Sequence, residues 1–471
     1  MKPSQIILLN ILFFSVIACA NKQPSSDEEL NRQDTATLAT TENVPDSFPI
    51  GKIIAHVYCK GDVTQSYALY IPSAGKTDAV IYFFDPHGDG SLPLKKYKAL
   101  ADAYNFVLIG SNNSKNGDDL ATTENTWQVL FNDTQRKLVL NKNRIYVCGF
   151  SGGAKVASFI GLHHNEVKAV IAGGAGLPDH TLAGNFNFSF TGIAGKGDMN
   201  MTDLVSLNDD FNKTQTKHRL LLFDGKHEWA PENVMNTAFA GLQFDAIRDH
   251  SIPKNDSLVK VFLANSKNRI DIATNKNDWI QASSECALSI SMLDGVADAG
   301  WFKEKNNSII NNAAYKNQLQ EQQRLFLIEN NKKTEYNTQF QQGNINYWAK
   351  TIDDLNARAT ASTPEAAMYQ RLLAYLSLAF YSISNQFINN NQNSEATYFV
   401  TLYKQVDPIN SEAWYFSAII NARNGNTRLT TDDLSKAVDN GFNDRTRMLQ
   451  QPEFRNLQPP VNFAAIEAKM K

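Results

Sequence analysis

Arg144-Ile145-Tyr146-Val147-Cys148-Gly149-Phe150-Ser151-Gly152-Gly153-Ala154-Lys155-Val156-Ala157 is the stretch on which the reading of this chain turns. Its first half is almost continuously apolar, as a strand buried on both faces requires, and its second half has helical spacing. Between them stands Gly149-Phe150-Ser151-Gly152-Gly153, a G-x-S-x-G pattern in a strand–turn–helix setting. The glycines two before and two after the serine predict a bend so tight that a Cβ there would strike the neighbouring strand or helix. Such a bend presents the Ser151 hydroxyl at the carboxyl edge of a sheet. The N–H groups opening the helix then lie where they can hold a developing negative charge. Ser151 is therefore the candidate nucleophile, with a plain glycine-rich turn as the alternative.

Outward from this stretch, apolar runs and helical runs alternate from about Ile50 to Arg248. Strands are expected at Lys52–Cys59, Gln65–Pro72, Ala79–Asp85, Phe106–Ser111, Arg144–Gly149, Val167–Ala172, Phe188–Ala194 and Arg219–Asp224. Helices are expected at Pro93–Tyr104, about Glu124–Val139, Gly152–His163 and Met201–Lys213. Runs such as Val80-Ile81-Tyr82-Phe83-Phe84 suit central strands, so the pattern predicts an α/β fold with a mostly parallel eight-stranded sheet and helices on both faces. The first two runs, joined through Lys60-Gly61-Asp62, read as an antiparallel lead-in.

A serine nucleophile needs a base, and the base needs an orienting acid. His227, in Phe223-Asp224-Gly225-Lys226-His227-Glu228-Trp229, follows the last strong strand and so is delivered to the same edge. His163 and His164 end a helix that points away, His218 opens a strand at the opposite end, and His180 lies in a loop. His250 lies further downstream still. Asp198, in Gly195-Lys196-Gly197-Asp198, follows the strand before and is the candidate acid. Asp203 and Asp224 are its rivals, and capping of the next helix is its competing role. For the oxyanion, one donor is expected from Gly152, and a second from Gly88 or Asp89 in Asp85-Pro86-His87-Gly88-Asp89. Trp229 and His87 are candidate substrate-binding residues; packing of its own loop is the other reading of Trp229. No second ligand cluster accompanies His87 and Asp89, so no metal and no organic cofactor is expected.

Tyr67-Ala68-Leu69-Tyr70-Ile71-Pro72, His87-Gly88, the Gly149–Gly153 pattern, Asp198 and His227-Glu228-Trp229 together resemble the α/β-hydrolase superfamily. Within it they look closest to secreted esterases of the polyhydroxybutyrate-depolymerase, feruloyl-esterase and dienelactone-hydrolase kind. The resemblance covers about Ile50 to Arg248 and departs from many relatives in the short link from Ala172 to Phe188. It implies a serine hydrolase acting on a small-molecule or carbohydrate-linked ester through an acyl-enzyme. A peptidase on the same fold, and a non-catalytic envelope scaffold, are the competing expectations.

Residues 1–19, MKPSQIILLNILFFSVIAC, pair Lys2 with an apolar run too short for a permanent span and read as a secretory signal. Val16-Ile17-Ala18-Cys19 resembles the lipobox of bacterial lipoproteins, which implies lipidation of Cys19 and a location on the bacterial cell envelope, periplasmic or cell-surface side. Residues 20–49 read as a polar tether and 50–250 as the hydrolase-like domain. Beyond residue 250 glycine nearly vanishes and an all-helical domain, 251–471, is expected, with helices near Ser257–Ala273, Asp278–Leu293, Ile309–Glu329, Thr334–Ala359, Pro364–Ile388, Ser394–Gln405, Ser411–Asn424 and Thr431–Asn440. Asp407-Pro408, Ala413-Trp414-Tyr415, Gly425-Asn426 and Gly441-Phe442 resemble a tetratricopeptide-type repeat, which implies a protein-binding face; a bundle shielding the hydrolase is the alternative.

Composition bounds these readings. With 471 residues, 42% hydrophobic and 20% charged, the chain is neither disordered throughout nor a small disulfide scaffold. Its 45 basic against 48 acidic residues, a net charge of -3, give no bulk attraction to nucleic acid. Apart from Cys19, the cysteines are Cys59, Cys148 and Cys286; a Cys59–Cys148 bridge is conceivable, with buried free thiols as the other expectation.

Overall fold

Every residue of Ala79–Phe84 is buried, because both faces of that run are covered. The computed structural model describes residues 47–75, 79–178, 181–342, 344–361, 363, 365–458 and 460–470. The signal segment with Cys19, most of the tether, and His180 lie outside them. The strands are β1 (Ile53–Tyr58), β2 (Ser66–Tyr70), β3 (Ala79–Phe84), β4 (Phe106–Ser111), β5 (Ile145–Phe150), β6 (Val167–Gly173), β7 (Ser189–Gly195) and β8 (His218–Phe223). They form one sheet in the order β1-β2-β4-β3-β5-β6-β7-β8. β4, β3, β5, β6 and β7 pair in parallel, and β1 and β2 form the antiparallel lead-in. This is the expected α/β architecture, a mostly parallel eight-stranded sheet with helices on both faces.

The two-residue side-chain period sorts the strands into two cores. Val80, Tyr82 and Phe84 face one, with α2 (Leu120–Lys137) and α3 (Gly152–His163) packed on it through Trp127, Leu130, Ala157 and Ile160. Ile81 and Phe83 face the other, covered by α1 (Ser91–Tyr104) through Leu94 and Tyr97. After α4 (Met201–Phe211), helix α5 (Glu232–Arg248), which the sequence pattern left unassigned, completes that second layer through Ala238, Phe239 and Leu242. Cys59 belongs to the first core and Cys148 to the second, so the sheet separates them and the conceivable bridge is not formed. Cys59, Cys148 and Cys286 are free and buried. Burial pushes the Cys148 thiol well above its ordinary range, and those of Cys59 and Cys286 to about 11.

The remaining helices are α6 (Asp256–Asn275), α7 (Trp279–Leu293), α8 (Gly300–Ile310), α9 (Ala313–Phe340), α10 (Ile345–Ala359), α11 (Ala366–Asn389), α12 (Asn393–Val406), α13 (Ser411–Arg423), α14 (Thr427–Asp439), and three short ones, α15 (Arg445–Gln450), α16 (Pro452–Arg455) and α17 (Phe463–Glu467). Several boundaries differ from expectation: the run expected as one helix at Thr334–Ala359 is divided, its first part closing α9 at Phe340 and its second forming α10 from Ile345. Ile309 lies in the last turn of α8 instead of opening a helix, and the next helix starts from the Asn312 cap, whose side chain accepts from the Ala314 N–H at 2.8 Å. The Asn-rich stretch at 330 does not break α9, because Leu325, Glu329, Tyr336 and Phe340 keep one buried stripe running through it. Among the described residues no helix is long and apolar enough to cross a membrane.

The chain divides into two compact units, and the division does not fall at residue 250. The sheet-bearing unit comprises the described residues up to Ala194, Asp203–Phe223 and Glu228–Asn311. Helices α6–α8 belong to it because Arg248 donates to the carbonyls of Asp294 (2.6 Å), Ser291 and Met292 (both 3.1 Å), and Ser291 Oγ donates to the His218 carbonyl (3.3 Å). The second unit is helical, from Asn312 onward, and includes two segments from earlier in the chain, Gly195–Thr202 and Asp224–His227. Within it, consecutive helices from α10 to α14 pack on one another. Trp348 is sandwiched there among Phe340 and Phe380, with ring centroids 4.8 and 5.4 Å away.

Asp245 anchors the base of the sheet-bearing unit. Arg219 Nη1 donates to its Oδ2 at 2.9 Å, Arg219 Nη2 donates to its Oδ1, and Arg248 Nη1 donates to the same oxygen. Burial raises its carboxyl, but the Arg219 charge and hydrogen bonds outweigh burial and hold it below the usual range. A carboxyl more acidic folded than unfolded contributes its stability above the unfolded value, about 3.9, and loses it as pH falls through the folded one. Arg219→Met is therefore expected to lower the urea-unfolding free energy at pH 7 by about 3 kcal/mol. That deficit narrows below about pH 4, as paired denaturation curves would read directly.

Candidate active site

The chain enters α3 through a bend that no L-residue adopts without cost: Ser151 has φ 55° and ψ -120°. Holding a non-glycine residue there costs about 1 to 3 kcal/mol, met only where the surroundings over-determine it. They do. The Ser151 N–H donates to the Gly173 carbonyl of β6 at 2.7 Å, and the Ala154 N–H donates back to the Ser151 carbonyl at 3.0 Å. A Cβ on Gly149 would overlap the Gly153 carbonyl oxygen, and one on Gly153 the Phe84 carbonyl oxygen of β3. Both glycines thus serve the close packing of β5, α3 and β3 that the sequence predicts. The Ser151 side chain makes no cap on its own helix. Among the described residues, the Gly152 N–H has no hydrogen-bond acceptor.

The turn after β3 corrects one expectation. Gly88, at φ 75°, closes a turn in which its own N–H donates to the Asp85 carbonyl at 3.1 Å, so that donor is spent and Gly88 is not an oxyanion donor. Its glycine serves the left-handed turn, not access to a substrate. Asp89 differs: its Oδ1 accepts from the Ser91 and Leu92 N–H groups (3.0 and 3.1 Å), and its own N–H has no acceptor among the described residues. His87 is 83% exposed, with Nδ1 3.4 Å from Asp85 Oδ1.

Trp229 is buried in the second core against Phe150, Tyr97 and Phe83, at centroid distances of 5.5, 6.1 and 6.2 Å, which is the packing role the sequence offered as its other reading. Its Nε1 donates to Asp85 Oδ2 at 2.9 Å. Burial raises the Asp85 carboxyl, yet hydrogen bonds from His87 and Trp229 outweigh burial and leave it below the usual range. Sequence reasoning missed Asn116. Its backbone N–H donates to the Pro86 carbonyl at 2.8 Å, and its Oδ1 occupies the space a Cβ on Gly152 would fill. The only hint in the sequence was the glycine at 152.

In the second unit, Asp198 and His227 are brought together, with Nδ1 2.9 Å from Oδ2. Asp198 is 1% exposed and His227 21%. The two Asp198 oxygens face different partners: Oδ1 accepts from the Asn200 N–H at 2.8 Å in the turn before α4, while Oδ2 faces His227. The Gly197 N–H donates to the Gly225 carbonyl at 2.9 Å and ties the two loops. The rivals are engaged elsewhere. Asp224 pairs with Lys196 at the surface (2.9 Å), and Asp203 stands in the first turn of α4. His164 lies between Glu124 and Glu166, at 3.0 and 3.4 Å, and His218 faces Asn212 and the Thr216 carbonyl. Among the described residues no group of three or more His, Cys, Asp or Glu is arranged to hold a metal ion.

No family model matches the chain, and no curated protein does. Solved structures with which it shares likeness include an esterase of the archaeon Pyrobaculum calidifontis (11% identity, 42% of this chain and 85% of that one, TM-score 0.33). Esterase 2 of Thermogutta terrifontis is 10% identical over 43% of this chain and 96% of that one, with a TM-score of 0.35. A dienelactone hydrolase of Anabaena variabilis is 18% identical over 41% of this chain and 95% of that one, with a TM-score of 0.29.

Trp229→Phe keeps the aromatic packing and removes one donor to buried Asp85, so it is expected to cost about 1 to 3 kcal/mol at pH 7. Because Asp85 is more acidic folded than unfolded, that loss shrinks as acid protonates the carboxyl. A Trp229→Phe chain of unchanged stability but altered substrate affinity would contradict the packing role.

Proposed function

We propose that the protein is a serine hydrolase of carboxylic esters in which Ser151, His227 and Asp198 act as nucleophile, general base and orienting acid. The observation that carries this reading is the strained backbone of Ser151 together with the 2.9 Å contact between Asp198 and His227. Chain order supports it: Ser151 follows β5, Asp198 follows β7 and His227 follows β8, the Ser–acid–His sequence of nucleophile-elbow hydrolases.

In the proposed reaction His227 Nε2 takes the Ser151 hydroxyl proton as Oγ bonds to the ester carbonyl carbon. Asp198 holds Nδ1 protonated, which keeps Nε2 the basic nitrogen and favours the imidazolium that forms. The N–H groups of Gly152 and Asp89 receive the oxyanion, with the Asn116 carboxamide beside them. The C–O bond to the alcohol then breaks, and the alcohol leaves with the proton from His227. A water activated by the same imidazole cleaves the acyl-enzyme and returns Ser151. Amide hydrolysis would use the same groups, and activity on a peptide panel in place of esters would make the protein a peptidase.

A fluorophosphonate probe is expected to label the wild-type chain and not Ser151→Ala. Asp198→Asn is expected to lower kcat on a short-chain aryl ester by about 10⁴-fold. A folded wild-type chain that neither labels nor turns over acetyl, butyryl or feruloyl esters would leave only the scaffold reading. We further propose that the chain is held at a bacterial envelope membrane by lipid on Cys19, each buried methylene contributing about 0.8 kcal/mol. Metabolic labelling with palmitate should mark the wild-type chain and spare Cys19→Ala; equal incorporation by both would refute the anchor.

A further inference from the structure

The loop that carries Asp198 has two of its carbonyls capped by cations of the helical region, buried Arg371 and half-buried Lys333. Arg371 of α11 donates from Nη1 to the Lys196 carbonyl at 2.9 Å, and Lys333 of α9 donates from Nζ to the Met199 carbonyl at 3.0 Å. These carbonyls flank Asp198, two residues before it and one after. Both cations are held in turn by Glu329 of α9, which is 1% exposed. Arg371 Nε and Nη2 donate to its Oε2 at 2.9 and 2.7 Å, and Lys333 Nζ stands 3.1 Å from its Oε1. The guanidinium fork is planar and its donors are fixed relative to one another, so seating two of them on Glu329 sets the direction of the third. The other charges on these loops, the Lys196–Asp224 pair and Lys226, lie toward solvent.

A buried ion cluster is a poor way to stabilise a helical bundle, since apolar side chains of similar volume generally serve as well or better. This cluster directs its remaining donors at loop carbonyls instead. We infer that Glu329, Arg371 and Lys333 are positioning residues that fix the Asp198 loop, and through it the His227 imidazole, so that the helical region is an integral part of the hydrolytic machinery. This rests on the assignment of Asp198 and His227 proposed above, and it gives the region from Asn312 onward a task that requires no binding partner.

The test compares Arg371→Met with Arg371→Lys in the full chain. The lysine keeps a charge for Glu329 but lacks the fork that also reaches the Lys196 carbonyl. It is expected to melt near the wild-type temperature yet still lower kcat, by up to about 100-fold, with KM within about twofold, as a small misplacement of a catalytic group does. In parallel, the His227 Nδ1–H resonance, followed by NMR of histidine-labelled chain and assigned with His227→Gln, should lose its downfield, hydrogen-bonded position in both variants as the Asp198 carboxylate moves from the ring. Should Arg371→Met not fold, Lys333→Met replaces it, because it leaves the Glu329–Arg371 pair intact and removes one loop contact. An unmoved His227 Nδ1–H resonance in folded variants overturns the inference whatever the activity. A wild-type chain without turnover sinks the hydrolase reading instead, and the resonance still decides the positioning role.

Discussion

The close approach of three backbones at the end of β5 is the constraint on which the sheet-bearing unit is organised. Gly149 and Gly153 let the first turn of α3 lie against its own strand and against the Phe84 carbonyl of β3. Ser151 is left with a positive φ between them. Such a conformation is not favoured locally. It persists because β3, β5 and β6 are buried on both faces and because the Ser151 N–H finds the Gly173 carbonyl. The same tightness leaves the Gly152 N–H without an acceptor among the described residues. Strain, donor and hydroxyl thus have one geometric origin.

The turn after β3 shows how a motif can be right in place and wrong in assignment. Glycine at 88 invites the idea of a backbone opened toward a substrate, but its positive φ serves a turn that uses up its N–H. Trp229 likewise invites a binding role by standing two residues after His227. Its indole is committed to Asp85, so that one tryptophan packs the second core and fixes the turn on which Asp89 is carried.

The helical region departs most from the sequence-level picture of a separate domain. Its first three helices belong with the sheet, tied by Arg248 and Ser291. Its later helices form a unit with the two loops that carry Asp198 and His227. Glu329 and Arg371 are 42 residues apart in the chain, and Arg371 and Lys196 are 175 apart. No local periodicity signals such a pairing, and a charged residue within a helical run ordinarily reads as solvated surface.

From the sequence alone, the alternation of apolar and helical runs determined the eight strands and the Gly149–Gly153 spacing determined the bend, because burial on two faces and steric exclusion of Cβ both act over a few residues. Chain order made Asp198 and His227 the leading candidates for acid and histidine for the same reason: each follows directly on a strand. What tertiary structure alone decided was everything set by partners distant in the chain. It separated Cys59 and Cys148 by placing them on opposite faces of the sheet, and it gave the two oxygens of Asp198 different tasks. It set Asn116 against Gly152 and turned a glutamate in mid-helix into the anchor of a distant loop. Hydrogen bonds and ion pairs depend on which groups the fold brings within about 3 Å, and that distance is a property of packing that no window of sequence contains.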